Sequence, residues 1–322
     1  MARWCALLLV LAGLVAADPY RQEAGPGEPA SMDFTWRDAA RGRDVPVRIW
    51  YPKDGAGPFP IILFSHGLGG TREGYAIWGK HWASWGYVVC NVQHLGSDDA
   101  VWRGVADPMA AMRRAAADPR NAINRPRDIS FAIDQMIALN DQDGPLKGRL
   151  DTKKIGMSGH SFGGYTTLAA SGLVFPLGQR DLSLGDPRIT ASIAMSAPAV
   201  GKNPALYDKA YGGIKIPMLH LTGTEDNSPI GDTTAAQRRV PYDHIKAPDQ
   251  ILVVYQGGDH MVFSGMRRAG DGRRDDRIHN LIRQCTTAFW DTWLKGDAQA
   301  KDWLYGTGYK TEMGGDGTFE TK

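Results

Sequence analysis

The 322-residue chain carries no excess of either charge: 37 Lys and Arg stand against 35 Asp and Glu, a formal net charge of +2. That balance leaves no basic footprint for a nucleic acid and no pull toward a strongly acidic partner. Cysteine is scarce, with Cys5, Cys90 and Cys285 only. Two of them, far apart in an apolar strand-like run and a helical run, read most simply as buried free thiols, although an oxidising compartment would permit a bridge. The apolar run from Trp4 to Val15 falls short of the roughly 20 residues a membrane-spanning helix needs. No internal repeat is visible.

What the N-terminus does have is export grammar. Met1-Ala2-Arg3 precedes the apolar run, which closes on Val15-Ala16-Ala17 before Asp18-Pro19. Residues 1–17 are therefore expected to act as a signal peptide cleaved near Ala17, taking Cys5 with them and placing the mature chain outside the cytoplasm, secreted or periplasmic, with no transmembrane span.

A Gly/Pro-rich lead-in (18–30) is followed by two short strands joined by a polar turn, Ser31 to Trp36 and Val45 to Tyr51. The pattern then changes. Phe59 to Ser65, Tyr87 to Val92, Lys154 to Met157, Ile189 to Met195, Pro217 to Thr222 and Gln250 to Tyr255 are short apolar runs ending in turn residues. Helical segments lie between them, at about 72–85 and from Pro126 to Leu139. About eight strands, mostly parallel and covered by helices on both faces, are expected: an α/β architecture filling residues 31–305. Residues 96–124 do not fit the alternation and fall where a strand's carboxyl end should open onto a ligand; a lid and a surface elaboration both remain open. The Gly- and Thr-rich tail, 306–322, is expected to fray.

Strand, then Gly159-His160-Ser161-Phe162-Gly163-Gly164, then helix is the context of a nucleophile elbow, with Ser161 at the sharp turn. A serine hydroxyl needs a base to take its proton, and in this fold the order is serine, acid, histidine. His260, just beyond the last parallel strand, is the expected base; His220, His244 and His279 are its rivals. Asp226, in the loop after the preceding strand, is the expected acid, with Glu225 and Asp232 as rivals and Asp259 read as a loop residue. An oxyanion needs preorganised N–H donors, for which the amides of Phe162 and Leu68 are the candidates; Leu68 lies in the loop His66-Gly67-Leu68-Gly69-Gly70. His66 is read as a hydrogen-bonder supporting that loop. This chemistry calls for no metal and no organic cofactor.

The chain resembles the predicted dienelactone hydrolases that are similar to plasma-type platelet-activating-factor acetylhydrolases, and more remotely bacterial cutinase-like polyester hydrolases. The residues carrying the likeness are Phe64 to Gly70, Gln93-His94-Leu95-Gly96-Ser97-Asp98, Arg125-Pro126-Arg127-Asp128-Ile129 and Gly159 to Gly164, within a span of about 31–295. It implies the α/β-hydrolase fold and a serine-hydrolase mechanism. Two departures stand out. In the acetylhydrolases the acid follows the strand after the elbow, but here that strand ends Met195-Ser196-Ala197-Pro198, so the acid looks shifted to Asp226 as in the bacterial hydrolases. True dienelactone hydrolases use cysteine, whereas position 161 is serine.

The combined expectation is a serine carboxylesterase, a monomer or weak dimer, acting through an acyl-enzyme on a short-chain, acetyl or phospholipid acyl ester. A serine peptidase or polyester hydrolase, and more distantly a non-catalytic binding protein on the same fold, are the alternatives. Trp78, Trp82 and Trp85 share one helical stripe, which fits either a lipid-binding face or a helix packed on the sheet.

Overall fold

The computed structural model describes residues 20–177, 180–201 and 203–322; the expected signal peptide, Ala17 and Cys5 lie outside the described residues. Nine strands form one sheet: β1 (Pro29–Asp38), β2 (Arg43–Pro52), β3 (Phe59–Ser65), β4 (Val88–Val92), β5 (Leu150–His160), β8 (Ile189–Met195), β9 (Met218–Glu225), β10 (Gln250–Asp259) and β11 (Gly317–Thr321). A separate hairpin, β6 (Val174–Leu177) with β7 (Arg180–Ser183), lies outside it. The spatial order is β1-β2-β4-β3-β5-β8-β9-β10-β11. The six strands from β4 to β10 run parallel, and antiparallel pairs close both edges. This is the α/β-hydrolase fold.

Continuous apolar runs form these strands because both faces of the sheet are covered. On β3, Ile62 and Phe64 point into one core while Ile61 and Leu63 point into the other. The first core takes helices α1 (Ala76–Ser84) and α7 (Gly272–Trp290), and the second takes α3 (Pro119–Leu139). Helices α2 (Pro108–Ala117), α4 (Phe162–Ala170), α5 (Tyr207–Tyr211), α6 (Val240–His244), α8 (Ala298–Tyr305) and α9 (Gly308–Met313) complete the chain. Cys90 on β4 and Cys285 on α7 are buried free thiols in opposite cores.

Two expectations change, the fraying tail and the start of the helix at Pro126, and two points left open settle. The sheet gains a ninth strand from the tail, which does not fray: β11 pairs with β10 from Ile251↔Thr321 to Tyr255↔Gly317, so the open edge of β10 supplies the order that Gly and Thr lack on their own. The lead-in packs down, with the Gly25 amide on Ser84 Oγ (2.8 Å) and the Gly27 amide on the Ser84 carbonyl (3.1 Å). Helix α3 starts seven residues before Pro126, which has no N–H for the Ala122 carbonyl; the Tyr165 hydroxyl donates to that carbonyl instead, at 3.1 Å. The tryptophan stripe is core: Trp78 and Trp82 are fully buried, donating to the Phe263 carbonyl and to Thr286 Oγ1.

Candidate active site

Ser161 sits between the end of β5 and the start of α4 with φ 57° and ψ −116°, a strained conformation for a residue with a side chain. The surrounding packing demands glycine. A Cβ on Gly163 would overlap the Ser65 carbonyl, and one on Gly159 would overlap the Gly163 carbonyl. The turn exposes Ser161 Oγ to His260, whose Nε2 lies 2.9 Å away. His260 follows β10, and its Nδ1 lies 2.8 Å from Oδ1 of Asp226, which follows β9. Asp226 is fully buried. A proton on Nδ1, donated to this carboxylate, leaves Nε2 bare to accept the serine hydroxyl.

Three side chains that the sequence reading did not single out hold the acid. Thr222 Oγ1 donates to Asp226 Oδ2 at 2.8 Å, and Ser196 Oγ donates to Oδ1 at 2.7 Å while standing 2.8 Å from His260 Nδ1. Arg238, also buried, places Nε 3.3 Å from the same Oδ1 and donates from Nη1 to the Ser196 carbonyl at 2.8 Å. Its Nη2 stands 3.1 Å from His260 Nδ1; a guanidinium only donates, so beside a protonated Nδ1 it contributes charge and no hydrogen bond. The end of β8 lies between those of β5 and β9, which is why Ser196 reaches both partners. A strand order would have pointed to Ser196; no local pattern points to Arg238.

The rival positions lie elsewhere. His220 is a buried β9 residue near Gln250 Oε1 (3.4 Å), its pKa lowered to about 4, mainly by burial. His244 pairs with Asp208 at 2.6 Å, and His279 donates to the Val262 carbonyl at 2.9 Å. Glu225 is exposed and pairs with Arg268 at 3.2 Å, and Asp232 is exposed. Asp259 accepts the Met261 and Val262 amides.

On the other flank, Leu68 and Phe162 line a cavity with Ser161 and His260, and among the described residues neither amide has a protein acceptor. The loop around Leu68 is pinned on every side. The Gly67 carbonyl accepts from His66 Nδ1 at 2.6 Å and from the Gly70 amide at 3.1 Å. The Gly69 amide donates to the Ser97 carbonyl (2.9 Å), and Trp102 Nε1 donates to the Gly69 carbonyl (2.8 Å). His66 Nε2 accepts the His94 amide at 3.0 Å, so the proton of this neutral ring stays on Nδ1. Burial, then the Arg125 charge, keeps the His66 pKa well below its ordinary value.

Beneath the loop lies a buried polar network. Arg125, fully buried, donates to Ser65 Oγ (3.0 Å), Ser97 Oγ (2.8 Å), Thr166 Oγ1 (2.9 Å) and the His66 carbonyl. His94 bridges Ser65 Oγ (2.9 Å) and Asp128 Oδ2 (3.0 Å), and Arg43 and Arg41 close on Asp128 at 2.9 and 2.8 Å. Burial lowers the Arg125 pKa to about 9, with partial compensation from Asp128.

The cavity has a volume of about 500 Å³. Residues 96–124 supply one wall through Met109, Met112, Ala116 and Ala122. Phe162, Tyr165, Val200, Ile230 and Met261 complete a mostly apolar lining in which Arg238 is, among the described residues, the one permanently charged side chain. Among the described residues no group of three His, Cys, Asp or Glu side chains could hold a metal ion, and no helix is long and apolar enough to cross a membrane.

Residues 43–116, from β2 to α2, match the family described as platelet-activating factor acetylhydrolase, isoform II. The platelet-activating factor acetylhydrolase of Cavia porcellus is 28% identical over 149 residues, 38% of this chain and 34% of that protein. That of Canis lupus familiaris is 27% identical over 179 residues (47% and 38%), and that of Bos taurus 27% identical over 138 residues (34% and 31%). The chain thus spans about a third of the length of the curated relatives it matches.

Proposed function

We propose that the chain is an acetylhydrolase-like serine hydrolase of carboxylic esters. The observation that carries this reading is the continuous contact of Ser161 Oγ, His260 and Asp226 at 2.9 and 2.8 Å on a strained elbow. Ser161 Oγ attacks the acyl carbon while its proton passes to His260 Nε2, and the carbonyl oxygen takes the negative charge beside the Leu68 and Phe162 amides. Collapse breaks the bond to the alcohol, which leaves with the proton from Nε2. Water repeats the cycle on the acyl-enzyme, releasing the carboxylic acid and restoring the serine hydroxyl. Asp226 holds the productive tautomer and offsets the charge of the imidazolium.

The cavity supports an uncharged, apolar acyl group. Arg238, the one permanent cation among the described residues of its lining, is engaged by Asp226 and the Ser196 carbonyl and has little to offer an anionic substituent. Short acyl esters, acetyl among them, are the class supported by the similarity to acetylhydrolases. The N-terminal pattern supports export, with residues 1–17 removed.

A fluorophosphonate probe tests the reading. An adduct on Ser161 of the wild type and none in Ser161→Ala is the expected result; no adduct in the wild type overturns it. p-Nitrophenyl esters of rising chain length, set beside a peptide and a phospholipid, are expected to rank neutral short esters first. A preference for the peptide would make the enzyme a peptidase.

A further inference from the structure

The residue between Gly159 and Ser161 in the elbow is a histidine, and its ring is not free. His160 is buried, with Nε2 2.8 Å from the backbone carbonyl of His260 and Nδ1 2.8 Å from the Tyr75 hydroxyl. The Tyr75 oxygen in turn lies 3.0 Å from the Gly67 amide. These three contacts admit one assignment of protons for a neutral ring. A carbonyl only accepts, so Nε2 carries the hydrogen and Nδ1 is bare. The Tyr75 hydroxyl must then donate to Nδ1, which leaves its lone pair to accept the Gly67 N–H. Burial, followed by the neighbouring His260, holds the His160 pKa well below its ordinary value, consistent with the neutral ring.

We propose that Tyr75 and His160 form a positioning bridge that ties the backbone of the base, His260, to the loop presenting the Leu68 amide. The proposal rests on the hydrolase reading of Ser161. Gly67 is the residue through which the bridge acts. Its amide is held by Tyr75 and its carbonyl by His66, and that carbonyl shares a planar peptide group with the Leu68 N–H. Fixing both ends of Gly67 therefore fixes the direction of the Leu68 N–H. At the other end, the His260 carbonyl is fixed by the same ring whose own residue precedes the nucleophile, so base, nucleophile and oxyanion loop move as one body. Two further features belong to this arrangement. Tyr75 holds φ 61°, an uncommon conformation for an aromatic residue, kept here by its contacts with Gly67, His160 and the Phe64 ring at 4.9 Å. A Cβ at position 67 would come within 2.9 Å of the Tyr75 hydroxyl, so a side chain there would press on the bridge.

Neither residue donates to or accepts from the reacting atoms in this scheme, so the expected signature is a loss in kcat with little change in KM. With p-nitrophenyl acetate, Tyr75→Phe should lower kcat about ten- to hundredfold and leave KM within about twofold, because it strands the Gly67 N–H and His160 Nδ1. His160→Leu should lose a similar amount, and the double variant less than about threefold more, since either change alone breaks the bridge. His160→Gln, whose carboxamide both donates and accepts, should recover kcat to within about fivefold of wild type. Wild-type kcat in Tyr75→Phe, or losses that multiply in the double variant, would overturn the proposal. Nitrogen-15 spectra of the wild-type histidines judge it even if Tyr75→Phe does not fold: His160 must carry its proton on Nε2, and a proton on Nδ1 sinks the bridge. Absence of a fluorophosphonate adduct on wild-type Ser161 would instead remove the hydrolase reading, leaving the spectra to decide whether the bridge exists.

Discussion

On one flank of Ser161, the loops after β8, β9 and β10 bring Ser196, Asp226 and His260 within 2.8 Å of one another, and the groups offered for chemistry are side chains. On the other flank the groups offered are backbone amides. Their supports, His66, His94, Arg125 and Asp128, are buried and do not line the cavity. The first flank is localised: one carboxylate orients one imidazole. The second is distributed, because a peptide plane is aimed only by everything that touches its two ends. A single change should therefore cut deepest into chemistry at Asp226 on the first flank and into stability at the buried supports of the second.

The largest effect is expected at Asp226. Asp226→Asn keeps the shape but no longer selects the Nδ1–H tautomer of His260, and kcat should fall about 10³- to 10⁴-fold with the fold intact. Glu225→Gln, at the exposed neighbour paired with Arg268, should change kcat less than about twofold. Steady-state kinetics on p-nitrophenyl acetate read both. The reverse ranking would move the acid to Glu225 and dissolve the contrast between the flanks.

Arg125 probes the opposite flank. Arg125→Met abandons Ser65, Ser97, Thr166 and the His66 carbonyl together, each in a buried setting. A loss of roughly 3–5 kcal/mol in unfolding free energy is expected, measured by urea denaturation followed by Trp fluorescence. An unchanged midpoint would mean that the loop is held by the turn itself.

Legibility in the sequence follows the same division. Strand cores and the elbow are legible because apolar runs and Gly-X-Ser-X-Gly are local patterns, and chain order then led to Asp226 and His260, which the structure draws to Ser161. Features made by distant partners were not. The start of α3 depends on a Tyr165 hydroxyl answering a carbonyl 43 residues back, and β11 depends on the free edge of β10. The tryptophan stripe looks the same on a lipid face as against α7, and only the contacts with Thr286 and Phe263 decide. Arg238 and Tyr75 reach the site across elements with no spacing that announces them. His94 and Asp128 appeared only as part of a family likeness, with no hint that they support a loop.

The smallest effect expected is also the one that locates acid sensitivity. His94 is fully buried between Ser65 and Asp128, and burial together with the Arg125 charge lowers its pKa to about 3. In the unfolded chain it returns to about 6.5. A folded pKa below the unfolded one means that the unfolded chain takes up the proton first on acidification. The contribution is therefore complete above about pH 6.5 and is lost as pH falls toward 3. At pH 5 the loss is on the order of 2 kcal/mol. Asp128 acts with the same sign but lower in pH: burial pushes its carboxyl up, yet His94 and Arg43 hold it below the ordinary range, so its share is lost only in stronger acid. Urea denaturation at pH 7.5 and pH 5 should thus show a difference that shrinks by about 2 kcal/mol in His94→Gln, whatever that variant loses at both pH values. Such a result would place the acid-sensitive point on the flank of the Leu68 loop. An unchanged difference would remove His94 as its source and leave the other buried histidines whose pKa is held down, His66 and His160 around the cavity and His81 near 3 and His220 near 4 elsewhere.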